Sequence, residues 1–461
     1  MSDARTTEEL VGLLRAAAPK DAERILYEIA RRDETLDASV LIPHLARSDA
    51  AFDCALKCRD LALVEPCAAQ LDKQWKAALV LATLGQRQYT AAIVARLAKS
   101  EGVAADGYAM SLEIMGDDSC VPALLALVAE KNPKRAFALH HALVALTGRR
   151  PLIERSTRES SASDWPRAVA AAWERPALDE PACVAFRQGS PREATFALDH
   201  ARGNVLIDYT AFTAGSWPRW SRALFVARKP LYEVSSGCGT CRTILRSTGA
   251  LPKDASSSAP LETYRSAVAS MQHVDRAAID ALWPLLRELD SGHYLAALSD
   301  IALERVEQPN RSWLARRASP DDELGREQDA PENYWAKVHH YQSRPSNTPA
   351  LNQWAVLVPS QDPTALDEAR VGEWRRAIES GARPAVVALT WVEDRPYDIF
   401  EGDAVDRFAL GVVLDGHHKL EAYARAKVPA RVLSLVHCEQ CSTNEAPEAA
   451  FRSVVAAVGS P

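Results

Sequence analysis

Residues 408–436, FALGVVLDGHHKLEAYARAKVPARVLSLV, form the stretch that decides the fold of the C-terminal region. The apolar run 408–414 is typical of a buried strand, and it leads directly into Asp415 and Gly416. A helix is expected to begin at once after the glycine, and a last strand follows at 430–436. This order of strand, tight turn, helix and strand predicts a mixed α/β domain.

The turn after the apolar run has the features of an anion-binding site. The first turn of a helix has free backbone N–H groups and the positive end of the helix dipole. Gly416 lets an anion approach the backbone closely. His417, His418 and Lys419 add side-chain donors, and Lys419 adds a fixed positive charge. We therefore predict that a phosphate group binds at this turn.

Two acidic residues and the histidines leave several roles open. Asp415 is suited to capping the helix, orienting a histidine or holding Mg²⁺. Glu421 lies one helical turn after the histidines, so it is suited to orienting an imidazole or acting as a base. The alternative is that Asp415 is only an N-cap and both histidines are polar surface residues. Two adjacent histidines favour a functional site, because neither is needed to start a helix.

The elements that precede this stretch fall in a recognisable order. A strand runs from Trp354 into a Pro-rich turn, a helix is expected at 366–380, and a second strand at 385–391 follows Gly381. With these elements, the segment 354–436 resembles the ParB/sulfiredoxin superfamily. Residues 378–386 approximate the turn that precedes its second strand. Residues 415–422 match the D-G-H-H-R-x-x-A form of its signature, with Lys419 in place of the usual arginine.

The resemblance implies binding of a nucleotide, ATP or CTP with Mg²⁺, through Gly416, His417, His418 and Lys419. The family includes CTP-binding partition proteins, ATP-dependent sulfiredoxins and free-serine kinases, and some relatives are described as nucleases. His417 occupies the position of the sulfiredoxin catalytic cysteine, and 417–419 replaces the Glu-Arg-Arg of partition proteins. Neither activity is therefore expected.

Three kinds of function stay open at this site. The first is a binding module for a nucleotide or another phosphorylated ligand. The second is a nucleotide-dependent phosphotransferase of the kinase-like branch, or a nuclease, for which the candidate catalytic residues are Asp415, His417, His418 and Glu421. The third is a protein-interaction scaffold in which the site is vestigial.

Two Cys-x-x-Cys pairs have matching spacing, Cys238 with Cys241 and Cys438 with Cys441. Four thiolates suit a tetrahedral Zn²⁺ ion, which here would link the middle of the chain to the C-terminal domain and close a long loop. We predict a structural zinc site with four cysteine ligands on this basis. A redox pair and unrelated free thiols are the alternatives, and a second pair of equal spacing favours metal.

The first third of the chain contains a recurring helical pattern. Each unit pairs two helices and ends in an apolar residue followed, directly or after one residue, by a glycine that relieves a left-handed cap. The unit ends are Leu84-Gly85, Met115-Gly116 and Leu146-Thr147-Gly148. The unit resembles a HEAT repeat, though it is shorter. This predicts an α-solenoid over 1–175 that binds a protein partner, with a non-repetitive helical bundle as the alternative.

Length, charge and cysteine content bound the whole chain. It has 461 residues, and its net charge of −7 argues against non-specific nucleic-acid binding. No secretory signal and no apolar run of ~20 residues is visible, which predicts a cytoplasmic protein without a membrane span. Cys54, Cys58, Cys67 and Cys120 are expected to be small core residues. We predict three parts: helical repeats at 1–175, a mixed α/β region with the first cysteine pair at 176–350, and a ParB/sulfiredoxin-like domain with the second pair at 351–461.

Overall fold

The chain folds into a helical unit and an α/β unit. The computed structural model describes residues 5–32, 34–154, 164–209, 221–227, 229–236, 246–247, 268–306, 340–346, 351–396 and 405–459. The helical unit comprises 1–149, 153–177 and 211–220, and the α/β unit comprises 150–152, 178–210 and 221–461. The helical N-terminal region and the α/β C-terminal region are therefore both confirmed, whereas a solenoid and a ParB/sulfiredoxin-like fold stay predictions.

The described part of the helical unit contains eleven α-helices. They are α1 (Thr7–Ala16), α2 (Pro19–Ala30), α3 (Ala38–Leu45), α4 (Asp49–Ala55), α5 (Val64–Ala68), α6 (Trp75–Thr83), α7 (Thr90–Leu97), α8 (Val103–Met115), α9 (Val121–Ala129), α10 (Ala136–Thr147) and α11 (Trp165–Glu174). Short 3₁₀ turns lie at Leu61–Leu63, Arg87–Tyr89 and Asp118–Cys120. No helix in the described ranges is both long and apolar enough to cross a bilayer.

Two of the predicted glycine stops end helices of this unit in the left-handed conformation. Gly116 follows α8 with φ +59°, and Gly148 follows α10 with φ +69°. In each case the glycine N–H donates to a carbonyl of the preceding turn, which satisfies one of the unpaired acceptors at the helix end. All four cysteines of this region are buried in its apolar core, as the sequence predicted.

The α/β unit contains thirteen described strands and five described α-helices. The strands are β1 (Ala182–Ser190), β2 (Glu193–Asp199), β3 (Val205–Tyr209), β4 (Ser221–Val226), β5 (Lys229–Ser236), β6 (Arg246–Ser247), β7 (Gly292–Ile301), β8 (Glu304–Val306), β9 (His340–Gln342), β10 (Leu351–Pro359), β11 (Val386–Pro396), β12 (Val405–Asp415) and β13 (Ala430–His437). The helices are α12 (Arg276–Ala281), α13 (Trp283–Leu286), α14 (Glu368–Glu379), α15 (His417–Ala426) and α16 (Pro447–Val458), with 3₁₀ turns at Pro363–Ala365 and Cys438–Gln440.

Nine strands form one mixed sheet in the order β1-β2-β7-β13-β11-β12-β10-β9-β8, and β3–β6 form a four-stranded antiparallel sheet. Strand β7, from the region predicted as 176–350, pairs along its whole length with β13, from the region predicted as 351–461. The two regions therefore share one sheet. Apolar clusters cover both faces of this sheet. Burial on both faces explains why 408–414 is continuously apolar rather than alternating.

Strand direction defines two edges of the large sheet. Strands β10 and β12 are parallel, so their carboxyl ends meet at one edge, which we call the Gly416 edge. Strand β11 is antiparallel to β12 and parallel to β13. The carboxyl end of β13 therefore lies at the opposite edge, which we call the Cys438 edge. The two predicted sites are thus at opposite ends of the strands.

Candidate functional site

The turn at the Gly416 edge has the geometry that the sequence predicted. Strand β12 ends at Asp415, Gly416 adopts φ +93° and ψ 26°, and α15 begins at His417. A Cβ atom at position 416 would lie 3.2 Å from the Cα of Val386. Glycine is therefore required here both by its positive φ and by the close approach of β11. The first intrahelical bond runs from the Leu420 N–H to the Gly416 carbonyl at 2.8 Å. Helix geometry leaves the preceding N–H groups without intrahelical acceptors.

The imidazole of His417 is an acceptor for the chain that leaves β10. Its Nε2 accepts a hydrogen bond from the backbone N–H of Ser360 at 3.1 Å. The Ser360 hydroxyl donates to the Val413 carbonyl at 2.6 Å, so its proton is already used. An accepting Nε2 places the ring proton on Nδ1. Burial lowers the pKa of His417 to about 4, although the nearby Asp415 charge works to raise it.

The imidazole of His418 holds the other end of the same connection. Its Nε2 accepts from the backbone N–H of Asp367 at 3.1 Å. The Asp367 side chain in turn caps α14, accepting from the Ala369 N–H at 2.9 Å. We call residues 360–367, which join β10 to α14, the connecting segment. Both ends of this segment are therefore bonded to the first two residues of α15.

Lys419 and Asp415 pair with each other. The Lys419 Nζ lies 3.6 Å from a carboxylate oxygen of Asp415 and donates to the Ala385 carbonyl at 3.1 Å. It also lies 5.5 Å from the centre of the Trp374 ring. The Lys419 side chain is buried, 8% exposed. Its charge is consequently balanced inside the protein, and the group that the sequence predicted as a phosphate clamp neutralises Asp415.

Glu421 belongs to a buried ion-pair network. Its side chain is 1% exposed and accepts from Arg305 at 2.6 Å, Tyr341 at 2.7 Å and Arg425 at 2.6 Å. Burial works to raise the pKa of Glu421, but the hydrogen bonds from Tyr341 and Arg425 and the charge of Arg305 lower it overall. Both carboxylate oxygens are therefore occupied by donors from β8, β9 and α15.

The second cysteine pair lies in a turn at the Cys438 edge. The Cys441 Sγ accepts from the Val392 N–H at 3.2 Å and lies 3.4 Å from the His437 carbonyl. The Cys438 Sγ lies 3.7 Å from a carboxylate oxygen of Glu448. Burial is the largest of the effects that raise the pKa of the Cys438 thiol. A thiol in this setting is not activated as a nucleophile, because the reactive thiolate is disfavoured.

The cysteine turn is fastened to the small sheet. Gln440 donates to the Ile207 carbonyl of β3 at 3.3 Å and accepts from Arg222 of β4 at 3.2 Å. Arg222 is paired in register with Ser235 of β5, and Cys238 follows three residues later in the sequence. Cys238 and Cys241 themselves lie outside the described residues. The chain that enters the first cysteine pair therefore starts beside the second pair.

Two contacts of this turn carried no sequence signal. Glu439 accepts from His293 Nδ1 at 2.6 Å and from the His293 backbone N–H at 2.9 Å, which ties the turn to β7. Arg222 also lies 3.9 Å from the buried carboxylate of Glu393. In the described ranges, no group of three or more histidine, cysteine or acidic side chains is arranged to hold a metal ion. Two of the four predicted zinc ligands lie beyond those ranges.

Comparison with known proteins gave no match to a protein-family model, to a curated protein or to a solved structure. The chemistry of the two sites is therefore argued from their own geometry and from the resemblance in the sequence.

Acidification should weaken the α/β unit through His417. The folded pKa of about 4 lies below the ordinary value of 6.5, so the neutral ring stabilises the fold. This contribution is complete above pH 6.5 and is lost as the pH falls towards 4. At pH 5 the loss is about 1–2 kcal/mol. Urea unfolding of wild type and His417→Gln at pH 7.5 and pH 5 measures it, with His44→Gln on α3 as the control. Equal pH dependence in wild type and His417→Gln would contradict this assignment.

Proposed function

We propose that this chain binds a nucleotide or another phosphorylated ligand at the Gly416 edge. The observation that carries the proposal is the junction at Gly416, where two parallel strands end side by side and α15 begins. The positive φ of Gly416 brings the backbone of the first helical turn to the surface of the edge. Free N–H groups and the positive end of the helix dipole favour a phosphate at such a junction. The resemblance to the ParB/sulfiredoxin superfamily points to the same ligand class.

The arrangement of charges supports binding by the backbone rather than by a lysine. Lys419 is paired with Asp415, so the two side chains contribute little net charge to the edge. His417 and His418 are neutral acceptors in the geometry described above. The phosphate would therefore contact the N–H groups of α15 directly. The negative charge of the whole chain is no obstacle to such a local site.

The second part of the proposal is a structural zinc ion at the Cys438 edge, held by Cys238, Cys241, Cys438 and Cys441. The bonds of Gln440 to β3 and β4 support it, since they hold the second pair next to the strands that lead to the first. A third part, a protein partner for the HEAT-like helices, rests on the repeated helical pattern. Together these parts describe a zinc-stabilised ligand-binding protein with a helical scaffold.

Calorimetric titration of the full chain with ATP, CTP and GTP in the presence of Mg²⁺ tests the ligand. We expect Gly416→Ala to weaken binding at least tenfold and to lower the free energy of unfolding by about 1–3 kcal/mol, because alanine strains this φ. Gly372→Ala, inside α14, is the matched control and should leave binding unchanged. Absence of binding to all three nucleotides and to inorganic phosphate would refute the proposal. Assay of nucleotide turnover in the same samples separates a binding module from a phosphotransferase.

A further inference from the structure

The two histidines of the turn are bonded in the same unusual way. Each uses Nε2 to accept a backbone N–H, and the two donors, Ser360 and Asp367, are the first and last residues of the connecting segment. Adjacent residues on a helix point in directions about 100° apart, so they reach different places on the same neighbour. Here they reach the two ends of one short connection.

We propose that His417 and His418 are positioning residues that hold the connecting segment, 360–367, as a fixed rim beside the N-terminus of α15. This inference rests on the proposed function for the identity of the ligand, but the bonds themselves can be tested without one. The rings act through the segment and not through direct contact with a phosphate, because each Nε2 is already occupied by a backbone donor.

Other contacts in the segment fit this role. The Ser360 hydroxyl bonds the Val413 carbonyl, so the first residue of the segment is fixed to β12 as well as to His417. Asp362 accepts from the Thr364 N–H at 2.9 Å and from its hydroxyl at 2.7 Å, which closes a turn in the middle of the segment. Asp367 caps α14. The segment is therefore an ordered piece with two attachment points on α15, and removing one of them frees one end.

Replacement by glutamine and by asparagine separates acceptor from ring. The glutamine amide oxygen reaches about as far as Nε2, whereas that of asparagine falls short by one bond. We expect His418→Gln to keep the nucleotide affinity of wild type within about threefold, and His418→Asn to weaken it about tenfold, the equivalent of one net hydrogen bond. The same pair of variants at His417 should behave alike. A ligand bound directly by the imidazole would lose affinity equally in both variants, which would overturn the inference.

Hydrogen exchange tests the rim without a ligand. Mass spectrometry of peptides that cover 360–367 should show faster deuterium uptake in His417→Asn and His418→Asn than in wild type, with both glutamine variants close to wild type. If the asparagine variants exchange as slowly as wild type, the segment is held by something else and the inference fails. If exchange changes as expected but no nucleotide binds to wild type, the inference stands and the proposed ligand class is wrong.

Discussion

Removing zinc should destabilise the α/β unit by on the order of 5 kcal/mol. Structural zinc stabilises isolated zinc-finger peptides by ~10–16 kcal/mol, since those peptides do not fold without metal. A smaller loss is expected here because this unit has its own apolar core on both faces of the large sheet. Chelation followed by urea unfolding gives the value, and elemental analysis of the purified chain should show one zinc per molecule.

Cysteine variants give the matched comparison for the zinc site. Cys438→Ser and Cys441→Ser should each abolish stoichiometric zinc and reproduce the loss of stability seen after chelation. Cys183→Ser, on β1 of the same unit, should leave both zinc content and unfolding unchanged. A purified chain with no zinc, or one that keeps its zinc in Cys438→Ser, would contradict the four-cysteine site. A zinc-free chain whose Cys438 and Cys441 are oxidised would support the redox alternative.

Local patterns in the sequence predicted the elements at the Gly416 edge. The run 408–414 is apolar at every position because β12 is central in a sheet with both faces covered. Gly416 is a stop for the strand and a start for the helix, and its positive φ is the physical reason. These features depend on neighbours in the sequence, so a single sequence contains them.

The partners of the site side chains could not be predicted in the same way. Glu421 is bonded by Arg305 and Tyr341, which come from β8 and β9. These strands lie beyond β10 at one end of the sheet, and no sequence pattern states the order of strands that brings them to α15. The same holds for Arg222 and Gln440, which are joined by the pairing of two sheets far apart in sequence. Long-range order decides whether a side chain faces a ligand or a neighbour.

Lys419 shows the consequence of that limit. Position and charge predict a phosphate contact, since the residue lies in the first turn of a helix after a glycine. The structure instead directs its side chain to Asp415 and the Ala385 carbonyl, because β11 lies next to β12 and brings Ala385 to this edge. The anion site predicted from the sequence therefore depends on backbone N–H groups, which any residue at 417–419 would supply.

Glu421→Gln should lower the free energy of unfolding of the α/β unit by about 2–4 kcal/mol at pH 7. The variant removes a buried charge from a network and leaves Arg305 and Arg425 facing a neutral amide, and breaking a buried ion pair in this way costs about 3–5 kcal/mol. The lower part of the range applies because both arginines keep some contact with solvent. Urea unfolding at pH 7 measures the loss.

The pH dependence of this loss identifies the carboxylate as its cause. The folded pKa of Glu421 is lowered, so its contribution to stability is present above the ordinary value of 4.5 and disappears as the pH falls through the folded value. The difference between wild type and Glu421→Gln should therefore shrink below pH 4.5. Glu379→Gln, which removes an exposed pair with Arg375 on α14, is the control and should cost less than about 0.5 kcal/mol. If Glu421→Gln were as stable as wild type while nucleotide turnover was lost, Glu421 would be a catalytic base and not a structural charge.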